Sequence, residues 1–133
     1  MMDERGSMLP MFAGLLFVSF MILALAVEIA LLGAVWRQAA DVADIAAEAG
    51  AAMIDERLLH TGNIIAIDAQ DAGHAALGAA HDLGVAGGDV TVDVGTAKVC
   101  VTIRVRHVTR SLRFIAVREI PVEVSRCAVP AVG

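Results

Sequence analysis

Tyrosine is absent from this chain, tryptophan occurs once, and aromatic residues make up only 4% of it. A large aromatic binding surface is therefore not expected. Positive charge is scarce as well: 10 Lys and Arg stand against 15 Asp and Glu, a formal net charge of -5. Binding to nucleic acid needs a basic footprint, so no nucleic-acid partner is expected. Catalytic signatures are missing too. There is no GxSxG elbow, no P-loop, no HExxH and no dinucleotide fingerprint. The carboxylates fall on solvated faces and offer no acid–base pair. The Gly87-Gly88 step is too short to cradle a phosphate and reads as a lead-in to a strand. His74 and His81 sit seven apart and share a helix face, but a zinc site needs three or four ligands. The expectation is a protein that is not an enzyme, with no cofactor, no metal and no small-molecule substrate.

What the sequence has in excess is apolar residues, 58% of 133, with a mean hydropathy of +0.73. That length suits one domain. Much of the excess lies in one block, MLPMFAGLLFVSFMILALAV, residues 8–27. Only Ser19 is distinctly polar there, and no residue is charged. A helix rising about 1.5 Å per residue makes this run about 30 Å long, the thickness of the hydrocarbon layer. Pro10 falls in the first turn, where a missing N–H costs little. The sequence stays apolar past Glu28 to Trp36, and Trp36-Arg37 resembles an interfacial anchor. Residues 8–36 would span about 43 Å, too long without tilt. Glu28 thus lies at the outer interface, reaching the headgroups or protonated, or else inside the membrane with a partner as a functional carboxylate. The stub MMDERGS carries one Arg and leans to a cytoplasmic N-terminus. The Cys residues and the strand-rich remainder point to an exported domain, hence a single-pass bacterial membrane protein. Ala24-Leu25-Ala26 also fits a signal-peptidase pattern, but the apolar stretch before it is long for a signal peptide and its flank is poorly basic.

The resulting division is a cytoplasmic stub or leader at 1–7, a transmembrane helix at 8–36, an amphipathic extension at 37–56 and an extracytoplasmic domain at 57–133. In the extension, Asp41, Asp44 and Glu48 share one face. Val35, Val42, Ile45 and Ala49 share another, with small alanines between. This stripe must pack on its own domain or on neighbouring copies. Residues 57–67 read as a connection. A helix follows from Asp68, a fitting N-cap, to Leu83, with Gly84 as the C′ residue. Its buried face is expected to hold Ala69, Ala72, Ala76, Leu77, Ala80 and Leu83.

The period then changes from 3.6 to 2. Residues 89–94, 98–107 and 120–129 alternate, predicting three antiparallel strands with valines and isoleucines inward. A two-residue Gly95-Thr96 turn sets paired numbers in the first hairpin to sum to 191, with Asp93 opposite Lys98 and Val92 opposite Val99. Placing Cys100 opposite Cys127 makes the second sum 227. Arg104 then faces Glu123, Thr102 faces Ser125, Ile103 faces Val124 and Val105 faces Val122. A register that pairs the cysteines also pairs charges and β-branched residues, so a Cys100–Cys127 disulfide is expected, on the more polar face of the sheet. Two reduced thiols are the alternative. Arg126 fits poorly, opposite Val101 on the apolar face. Between the second and third strands, VTRSLRFIAVRE (108–119) mixes apolar residues with Arg110, Arg113 and Arg118. A short amphipathic turn is predicted that covers the sheet edge or, alternatively, touches anionic headgroups. The fold class is α+β: a long N-terminal membrane helix, a second helix and a three-stranded antiparallel sheet.

The chain resembles the TadE/TadG-like proteins of tight-adherence (Flp-type) pilus systems. The resemblance is carried by Arg5-Gly6-Ser7 before the apolar run, by Glu28 late in it, and by RQAADVADIAAEAGA at 37–51. The segments GDVTVDVGTAKVCVTIRV and VEVSRCAVP extend it to nearly the whole chain. It implies a pilin-like layout and a pseudopilin-like accessory protein of pilus assembly or related secretion, with membrane lipid, pilins and other membrane proteins of the machine as partners. It also implies processing after Gly6, leaving Ser7 first. One departure stands out. Pilin-like members carry Glu at the fifth mature position, and here that position is Met11. The functional expectation is a minor pilin or assembly scaffold; a membrane-anchored binding or regulatory module unrelated to pili is the alternative.

Overall fold

The computed structural model describes residues 8–62 and 64–131. Gly6 and Ser7, the expected processing site, lie outside the described residues. One helix, α1 (Met8–Ala51), dominates the chain. No Pro interrupts it after Pro10, and its few glycines are isolated. Ser19, the polar residue of the apolar run, donates its hydroxyl to the Leu15 carbonyl one turn earlier (2.9 Å), so it brings no unsatisfied group into an apolar medium. The helix is long and apolar enough to cross a membrane, with a best-window mean hydropathy of 2.7. Its side chains over residues 8–22 are all exposed, and the folded domain sits on its C-terminal half.

That domain has two layers. The C-terminal half of α1 and a second long helix, α3 (Ala69–Asp82), cover one face of a sheet formed by β1 (Val90–Val94), β2 (Val99–Val108) and β3 (Glu119–Ala128). The strand order is β1-β2-β3, antiparallel throughout. A short helix, α2 (Glu56–Gly62), lies between α1 and α3. It occupies much of the stretch expected to be a plain connection. The missed signal is Asp55, whose carboxylate accepts from the amides of Arg57 and Leu58 and caps the helix start. The same reason ends α1 at Ala51, short of the expected 56. The chain must leave the helix for Ile54 to form a bridge with Ile67 and for Asp55 to cap the next turn.

Helix α3 has the expected caps. Asp68 accepts from the amides of Gln70 and Asp71. Gly84, at φ +87°, closes a Schellman motif in which Val85 N–H donates to Ala80 and Gly84 N–H to His81. Its buried face is narrower than expected. Ala72, Ala76 and Ala80 are buried, while Ala69, Leu77 and Leu83 are exposed. In α1 the shift is similar. The buried residues are Ala39, Ala40, Val42, Ala43, Ala46 and Ala47, with Gly50 and Ala51, and Ile45 is exposed. Alanine carries the contact because α1 and α3 approach closely, and a larger side chain would hold them apart.

Gly50 marks a close approach. A Cβ there would sit 3.0 Å from Val99 Cγ1, 3.1 Å from the Ala72 carbonyl oxygen and 3.3 Å from Ala76 Cβ. Helix propensity favours Gly50→Ala by about 1 kcal/mol. Fixed backbone in α3 and fully buried Val99 oppose it, and overpacking costs about 1–3 kcal/mol. Gly50→Ala is expected to be neutral to destabilising and Gly50→Val destabilising by about 2–3 kcal/mol, read as lowered thermal midpoints of the full chain in detergent.

The β2–β3 register is the expected one, with Cys100 opposite Cys127, Thr102 opposite Ser125, Ile103 opposite Val124 and Arg104 opposite Glu123. Thr102 donates to the Ser125 hydroxyl (3.1 Å), and Arg104 Nε reaches Glu123 Oε2 at 3.2 Å. The cysteine sulfurs are at bonding distance, 2.09 Å, on the sheet face away from the helices. The β1–β2 register differs from the two-residue-turn expectation. Val94 pairs with Val99, Asp93 with Cys100 and Val92 with Val101, so the loop runs from Gly95 to Lys98. A slip of two residues keeps each side chain on its face. The longer loop is closed by Gly95 N–H donating to the Lys98 carbonyl (2.9 Å), and the Thr96 carbonyl accepts from Ile67 N–H (3.3 Å), tying the hairpin end to the α2–α3 connection.

Candidate functional site: the Glu28 latch

Arg126, misplaced by the sheet pattern alone, has partners on α1. Its Nε lies 3.5 Å from Asp44 Oδ1, and its guanidinium sits 5.5 Å from the centre of the Trp36 ring. A cation over an indole face is an attractive arrangement. Trp36, expected to anchor at a headgroup layer, is thus engaged by β3.

Further down α1, Glu28 is buried, with 2% of its surface exposed. It does not stand alone. His107, near the end of β2, places Nε2 at 3.1 Å from Glu28 Oε1. An ionised carboxylate only accepts, so Nε2 carries the hydrogen. Arg110 N–H donates to the same oxygen at 3.3 Å, and Ser111 N–H donates to Oε2 at 3.1 Å. Successive backbone N–H groups converging on an anion form a nest, and bonds to a charged acceptor are among the stronger ones in proteins.

The segment that supplies these donors is the crossover between β2 and β3. Its base is clamped by Thr109, fully buried, whose N–H donates to the Arg118 carbonyl (3.0 Å) and whose hydroxyl donates to the Val117 carbonyl. From that base the chain drops along α1. Ser111 and Leu112 line an apolar groove with Val18, Met21, Ile22 and Leu25. A 3₁₀ turn (Leu112–Ile115) follows, as the predicted short turn, and Ala116 in the left-handed region (φ 62°) turns the chain back toward β3. The turn of the crossover at Ser111 and Leu112 therefore lies lower on α1 than Glu28.

Sequence reasoning singled out Glu28 and offered headgroup contact, protonation or an intramembrane partner. The structure gives it a partner in its own domain. His107 was read only as the end of a strand. Its alternation with Val105 and Ile103 on the inward face was the signal available, since an inward histidine at a strand end needs a polar partner.

No known family, curated protein or solved structure matches the chain. The site must be read from its own chemistry. A carboxylate held by two amides and an imidazole is fully engaged in bonding, and the Ser111 hydroxyl lies beside it as a further hydrogen-bonding group. No group of three or more metal-binding side chains occurs among the described residues; His74 and His81 are both exposed on α3. The arrangement fixes the folded domain to one height on the apolar helix.

Proposed function

We propose that this protein is a non-enzymatic, membrane-anchored component of tight-adherence pilus assembly or a related secretion machine, acting as a minor pilin or scaffold. In this reading the N-terminus is cytoplasmic, α1 crosses the membrane over about residues 8–27, and the disulfide-bonded domain lies outside. The observation that carries it is the continuity of α1. A bare apolar rod runs without a break into the core of an α+β domain, and Glu28 locks the two together where the rod ends. A flexible tether would let domain and anchor move independently; this build moves them as one body. That suits a subunit whose helix packs among partner helices while its domain is presented at a fixed height. The resemblance of 37–51, of Arg5-Gly6-Ser7 and of the closing strand to TadE/TadG-like proteins supports the same reading. Met11 at the fifth position after Gly6 favours an assembly component over the principal filament subunit.

Gene neighbourhood tests the proposal directly. Genes for a secretion ATPase and two polytopic membrane proteins beside this one are expected, and their absence would sink the pilus reading in favour of a separate membrane-anchored binding or regulatory module. Intact mass of the mature protein is expected to show a start at Ser7. A start at Val27 would mean that the apolar run is a cleaved signal, and the anchor reading would fail.

A further inference from the structure

The crossover that closes on Glu28 is also the most basic part of the domain. From Lys98 to Arg118 the sequence contains no carboxylate, while Arg104, Arg106, Arg110, Arg113 and Arg118 all fall there. Arg104 is paired with Glu123. Arg110, Arg113 and Arg118 are exposed, and none enters an ion pair among the described residues. Arg110 and Ser111 serve Glu28 through their backbone N–H groups, so the Arg110 side chain is not consumed by the latch.

One exposed carboxylate, Glu119, stands at this end, opposite Val108; most of the negative charge lies elsewhere. Asp93 pairs with Cys100, eight residues along β2 from Val108, or about 26 Å at about 3.3 Å per residue. Asp44 is 16 positions above Glu28 on α1, about 24 Å. The domain is therefore polarised along α1, with basic residues in excess at the end nearest the apolar rod, Glu119 notwithstanding, and acidic residues in excess at the far end, where Lys98 also lies. The basic end coincides with a physical boundary. The uncharged run of 20 residues from Met8 reaches about 30 Å, the hydrocarbon thickness, at Val27. Ser111 and Leu112 lie beside Met21, Ile22 and Leu25, just below that level, with arginines on either side in sequence. An apolar residue dipping toward the acyl boundary between exposed cations is the pattern of an interfacial segment.

We propose that the crossover is a lipid-docking surface, in which Arg110, Arg113 and Arg118 bind the phosphates of anionic phospholipid headgroups in the leaflet where α1 emerges. Leu112 seats the turn at the edge of the acyl layer, and the Glu28 latch holds it at that depth. The complementarity is of charge and position together. A chain of net charge -5 is otherwise repelled by an anionic surface, and its basic end turns that surface into a preferred one. This inference rests on the reading of α1 as a membrane helix.

The test uses the full chain reconstituted in phosphatidylcholine vesicles, with trace phosphatidylglycerol or phosphatidylcholine spin-labelled on the acyl chain. Electron paramagnetic resonance measures the motionally restricted fraction of each. Phosphatidylglycerol is expected to be preferred by about fivefold at low salt, the effect of one cation near the surface, and the preference should fall as salt is raised. R110Q/R113Q/R118Q is expected to lose the preference, R110K/R113K/R118K to keep it, and R57Q, on α2, to leave it intact. Restricted lipid with no preference, or a preference surviving in the glutamine variant, overturns the proposal alone. No restricted lipid of either kind overturns both the proposal and the membrane reading beneath it. Should the glutamine variant not fold, the lysine variant decides: loss of preference in a folded protein that keeps its charge overturns the proposal.

Discussion

Glu28→Ala is expected to release the crossover from α1 while leaving the sheet and its disulfide in place. The substitution removes the acceptor of three hydrogen bonds, from His107 Nε2, Arg110 N–H and Ser111 N–H. Those donors are then left facing an apolar void, and an unsatisfied buried donor costs more than the bond itself contributed. The cheapest relief is for the crossover to move away and hydrate. Amide hydrogen exchange is the direct measurement. Arg110 and Ser111 should lose protection in Glu28→Ala, whereas β2 and β3 around Thr102 and Ser125 should keep it. Glu28→Gln should fall between, because its amide oxygen still accepts from one of the two N–H groups while its NH₂ faces the other. His107→Ala should weaken the latch less than Glu28→Ala, since both backbone bonds to the carboxylate survive. Equal protection of Arg110 and Ser111 in Glu28→Ala and the parent chain would show that the clamp at Thr109 alone holds the crossover. In the assembly reading, the variant also uncouples domain height from the anchor, so loss of assembly with a folded, disulfide-bonded domain is the expected phenotype.

The contrast between what was and was not legible in the sequence has a physical pattern. Period-2 alternation revealed the strands, and the cysteine pairing gave the β2–β3 register because three independent agreements coincided: Cys with Cys, Arg104 with Glu123, and Thr102 with Ser125. The β1–β2 hairpin had no such long-range check. Its register was inferred from turn residues alone, and a four-residue loop replaced the two-residue one at no cost to the facing of any side chain. The helix cores depart from their hydrophobic pattern in one way. The pattern places large residues such as Ile45 and Leu77 inward, but at Gly50, Ala72 and Ala76 the distance between α1 and α3 is set by what is missing from the side chain. Sequence patterns weigh hydrophobicity and not clearance. The Glu28 latch was half legible. A lone carboxylate in an apolar helix announces itself, but two of its donors are main-chain N–H groups, which every residue except proline carries and no motif can report. Arg126 shows the same limit from the other side: its misfit on the apolar face was visible, while its partners Trp36 and Asp44 lie on an element 75 or more positions away in the chain.

Removing both cysteines, as Cys100→Ser with Cys127→Ser, is expected to have the largest effect on stability of any pair of changes outside the core. The bridge links residues separated by 27 positions. In the chain-entropy account, a cross-link closing a loop of this size stabilises the fold by about 3 kcal/mol through the unfolded ensemble. The domain beyond the apolar rod is small, and small domains have only about 5–15 kcal/mol in total. At roughly 4–8 °C per kcal/mol for a domain of under 100 residues, the midpoint should fall by roughly 12–24 °C. The bridge lies on the outer face, so no packed side chain is lost with it, and the two serines meet solvent. That separates the prediction from a core defect. Refolded double-serine protein at low temperature should retain the β2–β3 pairing, the Arg104–Glu123 contact and the Glu28 latch. Its deficit should therefore match that of the reduced parent chain, and reductant should leave its midpoint unchanged. The location of the loop gives the bridge a further consequence. It closes the segment from Cys100 to Cys127, which contains the whole crossover, so the same cross-link that stabilises the sheet also limits how far the basic turn can stray from α1 when the latch opens. Combining the double-serine change with Glu28→Ala should then lower the midpoint by more than the sum of the two, since each restrains the same loop. Strict additivity in that cycle would mean that the latch and the bridge hold the crossover independently.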